Sequence, residues 1–80
     1  MNTIAELTSK RILDLCQENN ITINKLSTIS GLTQSTVNSI INGKSQNPQL
    51  KTIFKICNGL NISVSEFFNC DYFKNIYFDD

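Results

Sequence analysis

The sequence contains no histidine and no surplus of charge of either sign. Seven Lys and Arg residues balance seven Asp and Glu residues among 80, so the formal net charge is zero. Without histidine the chain lacks the commonest general base and metal ligand. Zero net charge also argues against a nucleic-acid binder, because attraction to phosphate normally needs a basic surplus. No apolar run approaches the roughly 20 residues that a membrane span requires.

The three cysteines are odd in number, widely spaced and without a CxxC pair, which fits neither a disulfide framework nor a zinc site. We therefore expect a reduced cytoplasmic protein, with a redox sensor as the alternative. The sequence also lacks a secretion signal, a carboxylate pair, a nucleophile–base arrangement and a glycine-rich phosphate loop. These absences predict a protein that is not an enzyme and that binds no cofactor, metal, membrane or small-molecule ligand.

Chain length and hydrophobic periodicity predict one small all-α domain. Eighty residues are too few for a doubly wound sheet with a second domain. Apolar residues recur at three- and four-residue steps and do not alternate before residue 70, which is typical of helices. The predicted helices cover residues 4–18, 23–30, 34–42 and 48–60, with a short fifth helix after residue 63.

Each predicted helix starts at a residue that can accept hydrogen bonds from unpaired backbone amides. Glu6 and Glu66 extend the first and last of these caps into capping boxes. Pro48 is expected at the first position of the fourth helix, where its missing N–H costs nothing. Gly31 and Gly43 suit the left-handed backbone that ends the second and third helices. The predicted caps are Thr3, Thr22, Thr33, Asn47 and Ser63.

The first and fourth helices carry the clearest apolar faces, because their apolar residues keep the spacing of one helix side. In the first helix this face consists of Ile4, Ala5, Thr8, Ile12, Leu15 and Cys16. In the fourth helix it consists of Leu50, Ile53, Phe54, Cys57 and Leu60. We therefore expect both faces to be buried in the centre of the domain.

Residues 22–43 have the organisation of a helix-turn-helix. Two short helices are joined by a turn at Gly31, and the second helix begins with short polar side chains. Such a helix can enter the major groove of DNA, with its first side chains at base edges and its amide end near phosphates. An ordinary solvated helix face is the alternative that polarity alone leaves open.

The stretch from Thr22 to Lys44 resembles the Cro/cI-type helix-turn-helix family, which includes phage repressors and the xenobiotic-response-element regulators of bacteria. The similarity continues through Pro48 and a closing Leu-Asn-Ile-Ser-Val-Ser-Glu-Phe segment, so that it covers roughly residues 10–68. The resemblance implies a compact five-helix, lambda-repressor-like domain over residues 1–69, followed by a C-terminal tail over residues 70–80. It further implies a sequence-specific transcriptional repressor that binds a two-fold site on double-stranded DNA as a homodimer.

The resemblance also implies roles for individual residues. Base contacts are expected from the start of the third helix, at Gln34, Ser35, Thr36, Asn38 and Ser39. Gln and Asn can pair bidentately with adenine, and Ser can contact several bases. Phosphate contacts are expected from Thr22, Asn24, Lys25, Thr33, Lys44, Ser45 and Gln46. One departure weakens this set, because many family members have a phosphate-binding Gln where this chain has Ile23.

A second departure is a paired one. Many family members bury an ion pair between an Arg in the first helix and a Glu near the end of the third, and the matching residues here are Cys16 and Ile41. Removal of one partner would leave a buried charge unpaired, whereas apolar replacement of both is often neutral or stabilising. We therefore expect Cys16 and Ile41 to touch in the core of an intact fold.

The tail over residues 70–80 is aromatic and acidic. It can form a helix or, at Ile76–Phe78, a strand. It either packs on the fourth and fifth helices of its own chain or meets a second chain. The candidate dimer contacts are Tyr72, Phe73, Ile76, Tyr77 and Phe78.

The zero net charge is the sum of a basic part and an acidic part of the chain. Residues 1–65 carry six basic and three acidic residues, a net of +3, and residues 66–80 carry one basic and four acidic residues, a net of −3. The helical part is therefore mildly basic, which predicts a modest electrostatic affinity for DNA. The low charge also leaves open a protein-interaction module of the same fold, such as an antitoxin or anti-repressor.

Overall fold

The computed structural model describes residues 3–44 and 47–78, which form five α-helices and a short 3-10 helix. The α-helices are α1 (Ile4–Glu18), α2 (Ile23–Ser30), α3 (Gln34–Ile41), α4 (Leu50–Leu60) and α5 (Val64–Phe68), and the 3-10 helix spans Asp71–Lys74. No strand occurs in either described stretch. The prediction of an all-α domain with five helices is therefore confirmed.

Side-chain caps begin four of the five helices at the predicted residues. In each case a Thr or Ser hydroxyl accepts a hydrogen bond from the backbone amide three residues later, and both predicted capping boxes form. α1 and α2 have the predicted bounds, and α3 ends one residue earlier, at Ile41. The capping residues are Thr3, Thr22, Thr33 and Ser63.

The predicted start of the fourth helix is wrong. Gln49, not Asn47, is the residue before α4, and its side chain makes no capping hydrogen bond to the described part of the chain. The backbone at Gln49 is extended, with φ −67° and ψ 139°, and a helix cannot continue through a residue in that conformation. Pro48 therefore lies outside the helix instead of at its first position.

The core lies where all five helices meet. α2 packs against α4, α3 packs against both α1 and α2, and α5 packs against α4. The largest fully buried side chains come from every helix and are Phe67, Ile12, Leu26, Ile56 and Val37. Since each helix contributes at least one of them, the apolar stripes of the sequence converge on one shared core.

The predicted burial of the two apolar faces is wrong for residues at their edges. Leu50 and Phe54 are 65% and 53% exposed, because α4 faces the core through Ile53, Ile56 and Cys57 instead. In α1, Ile4 at the first turn is also exposed. Both faces are thus narrower than the apolar spacing indicated, and the α4 edge leaves two large apolar side chains in solvent.

Cys16 and Ile41, which the resemblance placed at the positions of a buried ion pair, both lie in or against the core. Cys16 is buried, and Ile41 is half-buried and packs against the same cluster. Burial raises the pKa of the Cys16 and Cys57 thiols, which keeps both cysteines protonated and unreactive. Neither position therefore places a charge or a free thiolate inside the domain.

Gly59 of α4 lies against the end of α2. A Cβ added at Gly59 would lie 2.8 Å from the Ile29 carbonyl oxygen and 2.8 Å from the Ser30 hydroxyl. The Ser30 hydroxyl is buried and has no hydrogen-bond partner among the described residues. The two helices therefore pack backbone to backbone at a position where no other side chain fits.

We expect Gly59→Ala to destabilise the domain. Alanine is favoured over glycine in a helix by about 1 kcal/mol, but overpacking against a backbone carbonyl typically costs about 1–3 kcal/mol, so a net loss should remain. Urea unfolding measures this loss, with Asn58→Ala as the exposed neighbouring control. Adding Ser30→Ala should recover only part of the loss, since the Ile29 carbonyl stays in place. Full recovery would contradict this explanation.

Candidate nucleic-acid interface

α2 and α3 are joined by the tight turn of a helix-turn-helix. Gly31 ends α2 in the left-handed conformation, with φ 66° and ψ 32°, which residues with a Cβ adopt only at a cost. The amide of Leu32 then donates to the Ser27 carbonyl at 3.0 Å. This bond completes the end of α2. The chain then continues to Thr33, which caps α3.

The surface of α3 is polar and mostly solvated. Val37 and Ile40 attach the helix to the core. Among the candidate base-contacting residues, Ser39 is half-buried and the others are exposed, namely Gln34, Ser35, Thr36 and Asn38. The Thr36 hydroxyl lies 2.9 Å from that of Thr33, so it takes part in the cap. The start of α3 thus presents several hydrogen-bonding side chains on one exposed surface.

α3 is capped at its start and joined to α1 at its end by hydrogen bonds. At its start the Thr33 hydroxyl accepts from the Thr36 amide at 3.1 Å. At its end the Ser9 hydroxyl of α1 donates to the Ile41 carbonyl at 3.0 Å. Because one anchor comes from α1, the position of α3 is set by the body of the domain.

The candidate phosphate-binding residues lie before and after α3 in the sequence. All of those that the structure describes are exposed. They are Thr22, Asn24, Lys25, Thr33 and Lys44. Ser45 and Gln46 lie outside the described residues. Ile23, where the resemblance implied the loss of a phosphate-binding Gln, is half-buried and packs against the core. The second helix therefore uses this position for packing and contacts solvent through its neighbours.

A cleft of about 390 Å³ lies between α3 and the start of α4. Gln49 and Thr52 line it together with Thr36 and Ser39 of α3. Sequence reasoning did not include Gln49 or Thr52 among the candidate residues, because it placed Gln49 inside the helix. The extended backbone at Gln49 is what places it in the cleft, and no residue pattern in the sequence predicts that conformation.

The tail begins by folding back on α1 and α5. The Tyr72 hydroxyl donates to the Asp14 carboxylate at 3.2 Å, and the Lys10 ammonium lies 5.4 Å from the centroid of the Tyr72 ring. Phe73 packs edge-on against Phe68 with ring centroids 5.1 Å apart. Burial, together with nearby negative charge, raises the pKa of the Tyr72 phenol, so it stays a hydrogen-bond donor. The first half of the tail therefore packs on its own chain, but these contacts are with α1 and α5 and not, as predicted, with the fourth and fifth helices.

The second half of the tail differs from both sequence expectations. Residues 75–78 form neither a helix nor a strand. Ile76 is half-buried, whereas Tyr77 and Phe78 are 46% and 64% exposed. The candidate dimer residues thus fall into two groups. Tyr72 and Phe73 contact their own chain, whereas Tyr77 and Phe78 are exposed.

Arg11 ties α1 to the end of α5. Its Nε donates to the Phe67 carbonyl at 2.6 Å and its Nη2 to the Glu66 carbonyl at 2.8 Å. The guanidinium also lies 3.8 Å from the Glu18 carboxylate. The bond to Phe67 satisfies a carbonyl that the end of a helix leaves unpaired, and the Glu66 carbonyl also accepts from the Asn69 amide at 3.3 Å. One of the six basic residues of the helical part is therefore used for folding, and sequence reasoning had counted it toward attraction to DNA.

Other classes of site have little support in the described chain. Over residues 3–44 and 47–78, no three His, Cys, Asp or Glu side chains come together in a way that could hold a metal ion. Within the same residues, no helix is both long enough and apolar enough to cross a bilayer. The polar surface of α3 is thus the best-defined candidate site.

Comparisons with known proteins agree with this geometry. A family model described as the Cro/C1-type helix-turn-helix DNA-binding domain matches residues 11–71. Among solved structures, the crystal structure of the prophage Lp1 protein 11 has a TM-score of 0.83 and 39% sequence identity, over 95% of this chain and 100% of that chain. No curated protein sequence matches the chain.

Proposed function

Because the chain belongs to the Cro/C1-type helix-turn-helix family of DNA-binding domains, we propose that it is a sequence-specific transcriptional repressor. In this proposal α3 reads the major groove and the protein binds a two-fold operator as a homodimer. The observation that carries it is the exposed polar start of α3, held between Thr33 and the Ser9–Ile41 hydrogen bond. One such helix reaches only a few base pairs, so two copies about one helical turn apart supply useful specificity.

Phosphate binding in this proposal relies on few charges. Lys25 is exposed on α2 and Lys44 directly after the helix-turn-helix, and the first amides of α2 and α3 add the positive ends of two helix dipoles. Arg11 is bound to the end of α5, and Lys10 lies against Tyr72. We therefore expect a modest affinity for random DNA that falls as salt rises, and selection of bound sequences from a random pool should yield a two-fold motif.

Gln34→Ala should change which sequence the protein prefers. Loss of a bidentate contact to a base costs about 1–3 kcal/mol and should relax the preference at one or two base pairs. Binding selection followed by titration of single-base variants measures both effects. Gln17→Ala is the matched control, because Gln17 is exposed on α1. An unchanged preferred sequence for Gln34→Ala would show that the assigned register of α3 in the groove is wrong.

Lys44→Ala should instead weaken binding evenly across sequences. Loss of one phosphate contact should reduce the slope of log affinity against log salt by about 1. Mobility shift or fluorescence anisotropy at several salt concentrations measures this slope. Lys74→Ala controls for loss of a lysine, since Lys74 lies in the tail 3.5 Å from Asp71. A slope equal to that of the native protein would remove Lys44 from the interface.

A protein-interaction module of the same fold, such as an antitoxin or anti-repressor, is the second candidate. It is favoured by Ile23, which packs against the core where the family's Gln would meet phosphate. In that case binding to random genomic fragments should be weak even at low salt and should yield no selected motif. A steep salt dependence and a two-fold motif would instead favour the repressor.

A further inference from the structure

An uncovered apolar groove runs along the outer edge of α4 and the start of α5. Phe54 borders it and is 53% exposed, and Leu50 lies one turn earlier on the same edge. The groove holds about 350 Å³, within the range of roughly 300–1,000 Å³ seen for clefts that bind compact ligands. Its lining residues are Phe54, Cys57, Asn58, Ile62, Ser63 and Val64. We call this surface the α4–α5 groove.

The tail carries an apolar group that its own domain leaves exposed. Tyr77 and Phe78 are 46% and 64% exposed, although Tyr72 and Phe73 just before them pack on α1 and α5. Two adjacent exposed aromatic residues at the end of an otherwise attached segment are a typical anchor for association, since aromatic side chains dominate interface energetics.

The charges beside these two surfaces are opposite. Lys51 and Lys55 are exposed on α4 on either side of Phe54 in the sequence, and their four-residue spacing places them on one face of the helix. Asp79 and Asp80 follow Phe78 in the sequence. Lys51 and Lys55 do not line the groove, but each lies three residues, or about one helical turn, before a lining residue of α4, Phe54 and Asn58. Two aromatics followed by two acids thus complement an apolar groove next to two basic residues, and such complementarity favours one orientation of binding.

We propose that Tyr77 and Phe78 of one protomer occupy the α4–α5 groove of a second copy, and that the second copy returns the same contact. The reciprocal exchange closes a two-fold dimer and does not extend into a fibre. It rests on the homodimer of the proposed function and assigns the surface that forms it. No candidate base-contacting residue of α3 takes part in this contact. The exposed start of α3 in each protomer therefore stays free to bind DNA.

The first test is the mass of the full chain in solution without DNA, measured by sedimentation equilibrium over a range of concentrations. Phe54→Glu and Phe78→Glu should each raise the dimer dissociation constant at least about 30-fold, as expected for loss of a central anchor. Leu13→Glu is the control, because Leu13 is 43% exposed on α1 and is not among the residues that line the α4–α5 groove. Thermal unfolding checks that each variant keeps its fold.

The second test mixes the two variants. Neither variant alone can form an intact contact, but a mixed pair has one, because the unaltered tail of Phe54→Glu meets the unaltered groove of Phe78→Glu. We expect the mixture to dimerise more strongly than either variant. A native chain that stays monomeric, a folded variant that stays fully dimeric, or a mixture without recovery would each overturn the proposal. A Phe78→Glu variant that stays dimeric while Phe54→Glu does not would indicate contact between two grooves.

Dimer formation and DNA recognition can fail separately. The mass measurement contains no DNA, so a dimer that binds no operator would contradict only the repressor function. Binding of the monomeric Phe54→Glu variant to a single half-site measures recognition by α3 alone. An unchanged half-site preference together with lost binding to the two-fold site is the expected result.

Discussion

Phe67→Ala is expected to lower the free energy of unfolding by about 3–5 kcal/mol, the usual cost of truncating a buried aromatic side chain. Phe67 is fully buried, although it belongs to a helix of only five residues. A domain of 80 residues has a total stability of about 4–12 kcal/mol, so the loss is a large share of the whole. Chemical denaturation of the native and variant chains measures the difference.

The neighbouring residue provides a matched control. Phe68 is 40% exposed and contacts Phe67 edge-on with ring centroids 4.8 Å apart. Phe68→Ala removes the same number of atoms in the same helix, but should cost about 1 kcal/mol, near the centre of the range for point mutants. Equal losses for the two variants would show that α5 is attached through both rings and that its burial pattern is not the deciding factor.

Cys16→Arg should destabilise the domain by about 3–5 kcal/mol, because it places an unpaired charge in the core. Cys16 is 5% exposed on α1, which packs against α3, and no acidic residue belongs to α3. An Arg at residue 16 should be tolerated only where an acidic residue faces it, so the same substitution should be tolerated or harmful depending on its partner. Thermal and urea unfolding measure the effect.

The matching second change tests that dependence. Cys16→Arg with Ile41→Glu should recover a substantial part of the lost stability, since the two charges then pair between α1 and α3. Gln17→Arg, at the exposed neighbouring position, should change stability by no more than about 0.5 kcal/mol. A double variant no more stable than Cys16→Arg would show that residues 16 and 41 do not face each other.

Helix ends were predictable where a local side chain sets them. The Thr22 and Thr33 caps need only an amide three residues away, so spacing alone identified them. The start of α4 was not predictable, because Asn47-Pro48 is a sound start signal and the extended backbone at Gln49 overrides it. The exposure of Phe54 was missed for a similar reason, since periodicity gives the direction of an apolar face but not its width.

Long-range contacts were outside the reach of sequence patterns. Arg11 donates to carbonyls 55 and 56 residues away, and the Tyr72–Asp14 hydrogen bond spans 58 residues. No spacing rule connects such pairs, because the contact depends on how α1 and α5 meet. The candidate surface on α3 was predictable as a set of exposed residues, whereas its neighbours in the α3–α4 cleft were not.

The Ser9–Ile41 hydrogen bond has a consequence for how this protein can change over evolution. Since the Ser9 hydroxyl and the buried side chains of Val37 and Ile40 hold α3 from outside the α3–α4 connection, we expect that exchange of residues in that connection leaves the helix in place. In the proposed complex, substitutions over residues 45–49 would then change the affinity for the sugar–phosphate backbone, while α3 kept its base preference. Strength of binding and choice of operator would thus be open to independent selection.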